Sequence, residues 1–228
     1  MDCPTFILVH GAWGGAWCWR DLEIEFDARG IEWVSVDLPS SRIGADPSTS
    51  LADDADAVAA LAPFDGPTVL VGHSYGGAVA VEVAPRINQL QEIVYLAALV
   101  PSVGQSPTGA SREVRVRTLL DDAIEVDGEF LRLSESKATA ALYNDCSPDV
   151  ASWATSMLTT QTLASFRSER TALDGPVRSR YIRCSDDHAI DPTLQEVLSM
   201  RCDRVITLSS GHSPFLSQPS ILCDVLLA

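Results

Sequence analysis

Residues 67–76 read PTVLVGHSYG and carry the strongest structural signal in the sequence. The run 67–71 is short, apolar and rich in β-branched side chains, which predicts a buried strand. A G-x-S-x-G pattern spans 72–76, and residues 77–84 (GAVAVEVA) then predict a helix. A serine on a sharp turn between a strand and a helix holds its hydroxyl above the sheet, and the flanking glycines permit that turn. This context makes Ser74 a candidate nucleophile.

Predicted strands and helices alternate along most of the chain. The predicted strands cover 5–9, 32–36, 67–71, 92–97, 180–184 and 204–208. The predicted helices cover 17–29, 51–61, 75–87, 192–200 and 214–227. Most of the strands are continuous apolar runs, as expected when helices cover both faces of a sheet. The sequence therefore predicts an α/β fold with a doubly wound, mainly parallel six-stranded sheet, in one domain over residues 1–228.

The alternation stops between residues 98 and 177, where no strand is needed. Predicted helices cover 112–120, 149–158 and 162–173, so we expect a helical lid inserted in the domain. Its apolar side chains either wall a pocket or pack the lid onto the body. They are Leu119, Leu142, Trp153, Met157, Leu158, Leu163 and Phe166. A pocket with such walls favours uncharged, mostly apolar groups.

Composition excludes several function classes. The 228 residues include 31 acidic and 16 basic side chains, for a formal net charge of −15. This balance argues against binding to nucleic acid or to an anionic membrane surface, and it disfavours a strongly anionic substrate. No apolar run approaches the roughly 20 residues that span a bilayer. The first residues resemble no signal peptide, so we expect a cytoplasmic protein.

The cysteines are scattered and include no C-x-x-C pair, so we expect reduced thiols and no metal site. They are Cys3, Cys18, Cys146, Cys184, Cys202 and Cys223.

A serine nucleophile needs a histidine base, and the chain has four histidines. His212 follows the predicted strand 204–208 and a short glycine-containing loop, which places it at the carboxyl edge of the sheet, where catalysis gathers in such folds. His73 adjoins the nucleophile on a tight turn, where neighbouring side chains diverge. His10 is interpreted as support for the loop after the first strand, and His188 as a surface residue. We therefore expect His212 to be the base.

The base needs an orienting acid from a loop at the same edge. The loop after the predicted strand 180–184 contains Asp186 and Asp187, and either can serve. Asp203 precedes its strand and lies at the wrong end. The chain order serine, aspartate, histidine is the one expected of an α/β hydrolase.

An oxyanion hole needs two backbone amides. The amide of Tyr75, directly after the nucleophile, is one candidate, and the amide of Ala12 in the loop after the first strand is the other. Gly11 allows that loop a close approach. Trp13 in the same loop is interpreted either as a pocket rim or as core.

Four blocks of the chain resemble the plant-type methylesterases and hydroxynitrile lyases of the α/β-hydrolase superfamily, and their bacterial relatives. They are residues 8–19 (LVHGAWGGAWCW), 72–77 (GHSYGG), 181–187 (YIRCSDD) and 211–219 (GHSPFLSQP). The resemblance covers the body of the chain from end to end. It implies that Asp187 is the acid, because that position matches the aspartate of the family's strand-loop block. Our candidate substrate-binding residues are Gly11, Trp13, Trp153 and Phe215.

Four departures from the family pattern matter. The plant enzymes usually have histidine where Gly14 stands. The lyase branch typically has threonine where Gly11 stands and lysine directly after the catalytic histidine, where this chain has Ser213. That lysine is thought to favour the cyanide leaving group, so its absence favours ester cleavage. The chain is also shorter than typical members, and we place the shortfall in the lid.

We therefore expect a serine hydrolase that cleaves a small, mostly apolar carboxylic ester, thioester or lactone through an acyl-enzyme, with no cofactor and no metal. Two alternatives stay open. One is a hydroxynitrile lyase-type C–C lyase that uses the same three residues, and the other is a non-hydrolytic role on the same fold, as a ligand-binding protein or cofactor-free oxygenase. The expected partner is a small-molecule ester, and a homodimer stays open.

Overall fold

The structure is a computed structural model that describes residues 3–63 and 65–228. Its strands, in chain order, are β1 (Thr5–Val9), β2 (Trp33–Val36), β3 (Thr68–His73), β4 (Leu90–Leu96), β5 (Ile124–Asp127), β6 (Phe130–Leu133), β7 (Gln161–Thr162), β8 (Arg178–Cys184) and β9 (Arg204–Leu208). Its helices before the insertion are α1 (Arg20–Ala28), α2 (Leu51–Leu61) and α3 (Gly76–Val83). The insertion carries α4 (Pro107–Ser111), α5 (Leu119–Ala123), α6 (Glu135–Leu142), α7 (Pro148–Ser156) and α8 (Leu163–Arg167). After it come α9 (Pro192–Ser199), α10 (Pro214–Ser217) and α11 (Pro219–Leu227), and short 3₁₀ turns lie at Ala16–Trp19 and Ala84–Arg86.

The central sheet has six parallel strands in the order β2-β1-β3-β4-β8-β9. This confirms the predicted fold class. The chain moves outward from β1 to β2 on one side and returns to β3 on the other, so the strand order reverses between β1 and β3. Val9 at the end of β1 pairs with Gly72 of β3, which brings the loops after both strands to one edge. Such a reversal point is where ligands bind in open α/β sheets.

Helices cover both faces of this sheet, so side chains alternate between two apolar clusters. Leu8 and Val71 belong to the cluster that contains Trp19 and Phe26 and lies under α1 and α11. Their neighbours Ile7 and Leu70 belong to the cluster under α2 and α3 on the opposite face. The sheet therefore fixes the ends of its strands rigidly, and the candidate site residues follow those ends.

The insertion between β4 and β8 is not purely helical, and our expectation of no strand there was wrong. β5, β6 and β7 form a second, antiparallel sheet. Asp127 pairs with Phe130 across a two-residue turn in which Gly128 has a φ of +59°. A glycine at such a position is a hairpin signal, because it adopts the left-handed backbone at little cost.

Two predicted helices also need correction. The predicted helix 112–120 is wrong over most of its length, since α5 begins only at Leu119, after Thr118 at its N-cap. The preceding run alternates arginine with β-branched valine, which is a weaker helix former. The predicted helix 214–227 is divided at Pro219, where the preceding residue Gln218 leaves the helical region with a φ of −144°.

Two helices of the insertion lie near predicted positions, whereas α4 and α6 were not predicted. α7 matches the prediction at 149–158, and α8 is a shorter version of the one at 162–173. In the part of the chain that the structure describes, no helix combines the length and apolar character needed to cross a membrane.

Candidate active site

Ser74 lies on the sharp turn between β3 and α3. Its φ is +54°, a left-handed backbone that serine seldom adopts. A Cβ on Gly72 would lie 2.6 Å from the carbonyl oxygen of Gly76, and a Cβ on Gly76 would meet the carbonyl of Val9. Both positions therefore require glycine. The turn is held by the Ser74 amide, which donates to the carbonyl of Leu96 at 3.2 Å.

His212 and Asp187 form a buried hydrogen-bonded pair. The His212 Nδ1 to Asp187 Oδ2 distance is 2.8 Å, and the two residues are 1% and 4% exposed. A carboxylate accepts, so the proton is assigned to Nδ1 and the other ring nitrogen, Nε2, keeps its lone pair. Asp186 lies exposed next to the pair and accepts from the Ser185 hydroxyl at 3.2 Å.

The Asp187 carboxylate is held by three further donors. Its Oδ1 accepts from the amides of Ala189 and Ile190 at 2.7 and 3.0 Å, and its Oδ2 also accepts from Gln195 Nε2 at 2.9 Å. These bonds fix the plane of the carboxylate and aim it at His212. Sequence reasoning did not find Gln195, because no motif marks it.

Two other buried histidines brace the site as neutral rings. The Leu38 amide donates to His10 Nε2 at 3.1 Å, so His10 carries its proton on Nδ1 and donates it to the carbonyl of Gly11 at 2.7 Å. Burial lowers the pKa of His10 to about 4. His73 donates from Nε2 to the carbonyl of His212 at 2.9 Å. Burial and the nearby His212 ring hold the pKa of His73 well below its usual value.

Two backbone amides near Ser74 have no acceptor among the described residues, and they are those of Ala12 and Tyr75. The loop that carries Ala12 approaches closely, since a Cβ on Gly11 would lie 2.9 Å from the Cβ of Ser74. The next residue, Trp13, has a φ of +61°. Free amides beside a candidate nucleophile can bind a developing negative charge.

A chain of buried polar groups joins this loop to Tyr75. The Trp13 amide donates to Gln161 Oε1 at 3.4 Å, and Gln161 Nε2 donates to the Ser40 hydroxyl at 2.7 Å. The Ser40 amide and the Tyr75 hydroxyl donate to the two oxygens of Asp54 at 2.9 and 2.7 Å. Burial raises the pKa of Asp54, and burial together with Asp54 raises that of Tyr75 well above its usual value. The sequence analysis missed this network.

The insertion also contacts the loops that carry the pair. Asp145, between α6 and α7, accepts from the Gly211 amide at 2.8 Å and from the Ser217 hydroxyl at 2.8 Å. Asn144 Nδ2 donates to the carbonyl of Asp186 at 2.9 Å. A Cβ on Gly211 would collide with both insertion side chains, which explains a glycine directly before His212. The sequence carried no signal for Asp145.

Three of the four candidate substrate-binding residues lie together. Gly11, Trp13 and Phe215 line a cavity of about 30 Å³ that Ser74 and His212 also line. Trp13 is 3% exposed, so it is at once buried and part of the cavity wall.

Trp153 lines neither this cavity nor the larger one described below. It packs edge-on against Trp17, with ring centroids 5.3 Å apart, under the guanidinium of Arg20 at 3.7 Å. The structure thus places it in the packing of the insertion against the body.

A larger cavity of about 850 Å³ opens beside Ser74 and Ala12. Of the apolar insertion residues named above, Leu163 and Phe166 line it, whereas Leu142 and Leu158 line the small cavity. Leu119 and Met157 line neither. Within the described residues, no group of three or more histidine, cysteine or acidic side chains has the arrangement of a metal site.

Comparisons with known proteins show which family model and which proteins this chain matches. A model of the alpha/beta hydrolase family matches residues 6–225. The chain is 28% identical to norfluorocurarine synthase 2 from Strychnos sp, over 97% of this chain and 93% of that protein. It is also 28% identical to polyneuridine aldehyde esterase from Rauvolfia serpentina, over 97% and 94% of the two chains. The crystal structure of a pyrethroid hydrolase from Sphingobium faniae JZ-2 superposes with a TM-score of 0.85 at 22% identity, over 99% of this chain and 96% of that one.

Proposed function

Because the chain belongs to the alpha/beta hydrolase family, we propose that it is a serine hydrolase that cleaves a carboxylic ester through an acyl-enzyme intermediate. The observation that carries this proposal is the 2.8 Å hydrogen bond between buried His212 and Asp187, beside a cavity that Ser74 also lines. A relative named as an esterase supports ester hydrolysis in general.

In the proposed reaction, the hydroxyl of Ser74 attacks the ester carbonyl. His212 Nε2 takes the hydroxyl proton and then gives it to the departing alcohol, so the alcohol leaves and an acyl-serine forms. A water molecule, activated by the same nitrogen, releases the acid and restores Ser74. Asp187 holds His212 with its proton on Nδ1 and stabilises the ring when it is charged.

The amides of Ala12 and Tyr75 are proposed to bind the oxyanion. A peptide unit is planar and its carbonyl and N–H point in opposite directions. The bond from His10 Nδ1 to the carbonyl of Gly11 therefore fixes the direction of the Ala12 N–H as well. One such donor is worth roughly a factor of 10²–10³ in kcat.

The test is a panel of p-nitrophenyl and methyl esters of increasing acyl length. We expect the wild type to hydrolyse a small activated ester, and Ser74→Ala to lower kcat by roughly 10⁴-fold or more with the fold intact by circular dichroism. Mandelonitrile is the second arm. Ser213 follows His212 and supplies no cation for a departing cyanide, so cyanide release is expected to stay at the level of the buffer. Cyanide release by the wild type without cleavage of any ester would overturn the proposal.

A further inference from the structure

The larger cavity has a cationic mouth. Arg112, Arg115 and Arg167 line it, and all three side chains are exposed. Two different elements bring them to one wall, since Arg112 follows α4 and Arg167 ends α8. The Thr108 hydroxyl on α4 donates to the carbonyl of Phe166 on α8 at 2.9 Å, which ties the two helices together.

None of the three guanidinium groups has an ion pair or a hydrogen bond within residues 3–63 and 65–228. The carboxylates in the same cavity lining accept hydrogen bonds from backbone amides and form no ion pair with these arginines. Asp121 accepts from the Thr118 amide and Asp191 from the Thr193 amide, each at 2.8 Å, as helix caps.

Acidic side chains next to this wall also have other partners. Glu113, which directly follows Arg112, accepts from Arg201 at 2.6 Å, and Asp122 accepts from Arg117 Nε at 2.8 Å. The chain has 31 acidic and only 16 basic residues, so an arginine is expected to have an acidic partner more often than not. The lining thus holds three guanidinium groups against two capped carboxylates, a local excess of positive charge that attracts anions on a molecule with a net charge of −15.

Apolar side chains also line this cavity. Leu131, Leu163 and Phe166 line it, and Ser74 lines the same cavity. An occupant that satisfies both sets of side chains has an apolar chain with an acidic group at its far end. Guanidinium groups suit a carboxylate, because their planar N–H donors match its two oxygens.

We infer that the ester this protein cleaves carries a carboxylate at the far end of an apolar acyl chain, and that Arg112, Arg115 and Arg167 bind that carboxylate. This inference rests on the proposed function. It replaces two expectations from the sequence: that the apolar insertion favours uncharged groups, and that the net charge disfavours an anionic substrate. The charge of the whole surface does not describe the charge of this cavity lining.

The experiment compares p-nitrophenyl monoesters of dicarboxylic acids of six, eight and ten carbons with the same esters whose free carboxylate is a primary amide. We expect the best of the acids to exceed its amide by about tenfold in kcat/KM, as charge-assisted hydrogen bonds allow. We expect this ratio to shrink at high salt, because exposed charges are screened.

Substitution locates the effect. In the triple variant Arg112→Gln, Arg115→Gln and Arg167→Gln, the acid-to-amide ratio is expected to fall to near one, and the single variants to lower it in part. The matched control is Arg42→Gln, Arg178→Gln and Arg204→Gln, which removes the same charge from exposed arginines that line neither cavity and form no ion pair among the described residues. The control is expected to keep the ratio.

The outcomes separate the two proposals. Cleavage of the amide esters with no preference for the acids, or a preference that the triple variant retains, overturns the inference and leaves the proposed function standing. Failure to cleave any ester of the series, while a small p-nitrophenyl ester is hydrolysed, overturns the inference alone. Failure to cleave the small esters as well overturns the proposed function, and the inference falls with it.

Discussion

Ser74 shows how much a single position depends on its neighbours. Its left-handed backbone, with a φ of +54°, costs of order 1–3 kcal/mol and persists only where the surroundings enforce it. The carbonyl of Ser74 accepts from the amides of Gly77 and Leu99 at 3.1 and 2.9 Å, which holds the turn from both sides. The G-x-S-x-G pattern predicted this turn, because its two glycines leave room for close backbone contacts within and beside the turn.

The two aspartates before His188 are expected to differ sharply on substitution. Asp187→Asn replaces an acceptor by an amide whose NH₂ group cannot accept from His212 Nδ1. The wrong tautomer is then favoured, and kcat is expected to fall by roughly 10⁴-fold. Asp186→Asn changes an exposed side chain, and its kcat for ester hydrolysis is expected to stay within about twofold of the wild-type value.

Melting temperatures of the two variants control for folding. A larger loss of kcat in Asp186→Asn than in Asp187→Asn would contradict the geometry described above.

No sequence motif marks the residues that position the site by contacting other site residues. Gln195 and Asp145 make their contacts across 8 and 66 positions of the chain, to Asp187 and Gly211. A polar side chain in a helix or loop has no periodicity that distinguishes such a role, so only the folded structure identifies it. The same holds for the Asp54 network under Tyr75.

Among the elements, those with an apolar period were predicted well and those without one were not. β1, α2 and β9 begin and end where the apolar runs do. β5 and β6 were missed although five of their eight residues are apolar, because each strand has only four residues and gives too short a pattern. Gly128 marks the turn between them. The sequence allowed Trp153 either to line a pocket or to pack the insertion onto the body, and the structure packs it on Trp17.

At the scale of elements, Asp145 links the insertion to the loop of His212. Asp145→Ala removes the acceptor of the Gly211 amide, and one such charge-assisted bond contributes about 1.5–3 kcal/mol. We expect kcat for a p-nitrophenyl ester to fall by roughly tenfold with KM nearly unchanged, because the change loosens the base and leaves the cavity wall intact. Asp145→Asn, which retains an acceptor oxygen, is expected to restore most of the loss.

The control for this variant is Asp149→Ala, an exposed acid of the same insertion in the first turn of α7. Equal effects of Asp145→Ala and Asp149→Ala on kcat would argue against the link.

Over the whole molecule, the fold class was predictable because alternating strands and helices predict a mainly parallel sheet with helices on both faces. The charge of the cavity was not, because net charge sums over a surface and the arginines meet only after folding. The buried neutral histidines His10 and His73 also make the stability of the molecule depend on pH, which composition does not predict.

Stability is expected to fall as the pH falls from 7.5 to 5.5. The pKa of His10 is about 4 in the folded protein and that of His73 is well below its usual value, whereas both rings titrate near 6.5 when unfolded. The unfolded state therefore binds more protons in this window. Each histidine is expected to remove about 1.4 kcal/mol from the free energy of unfolding between the two pH values.

Urea unfolding at both pH values measures this loss. His10→Asn is expected to remove about half of the pH dependence, and His188→Asn, at an exposed ring, to keep it. An unfolding free energy that is the same at pH 7.5 and 5.5 would show that the buried rings are not neutral as described.

Covalent labelling asks whether Ser74 is the nucleophile. A fluorophosphonate reacts with a serine only when that serine is activated by its base beside an oxyanion site. We expect one phosphonyl group per chain, located by peptide mass spectrometry on Ser74, and none on Ser74→Ala with an unchanged melting temperature. A folded wild type that takes no label, or a label that persists on Ser74→Ala, would contradict this assignment.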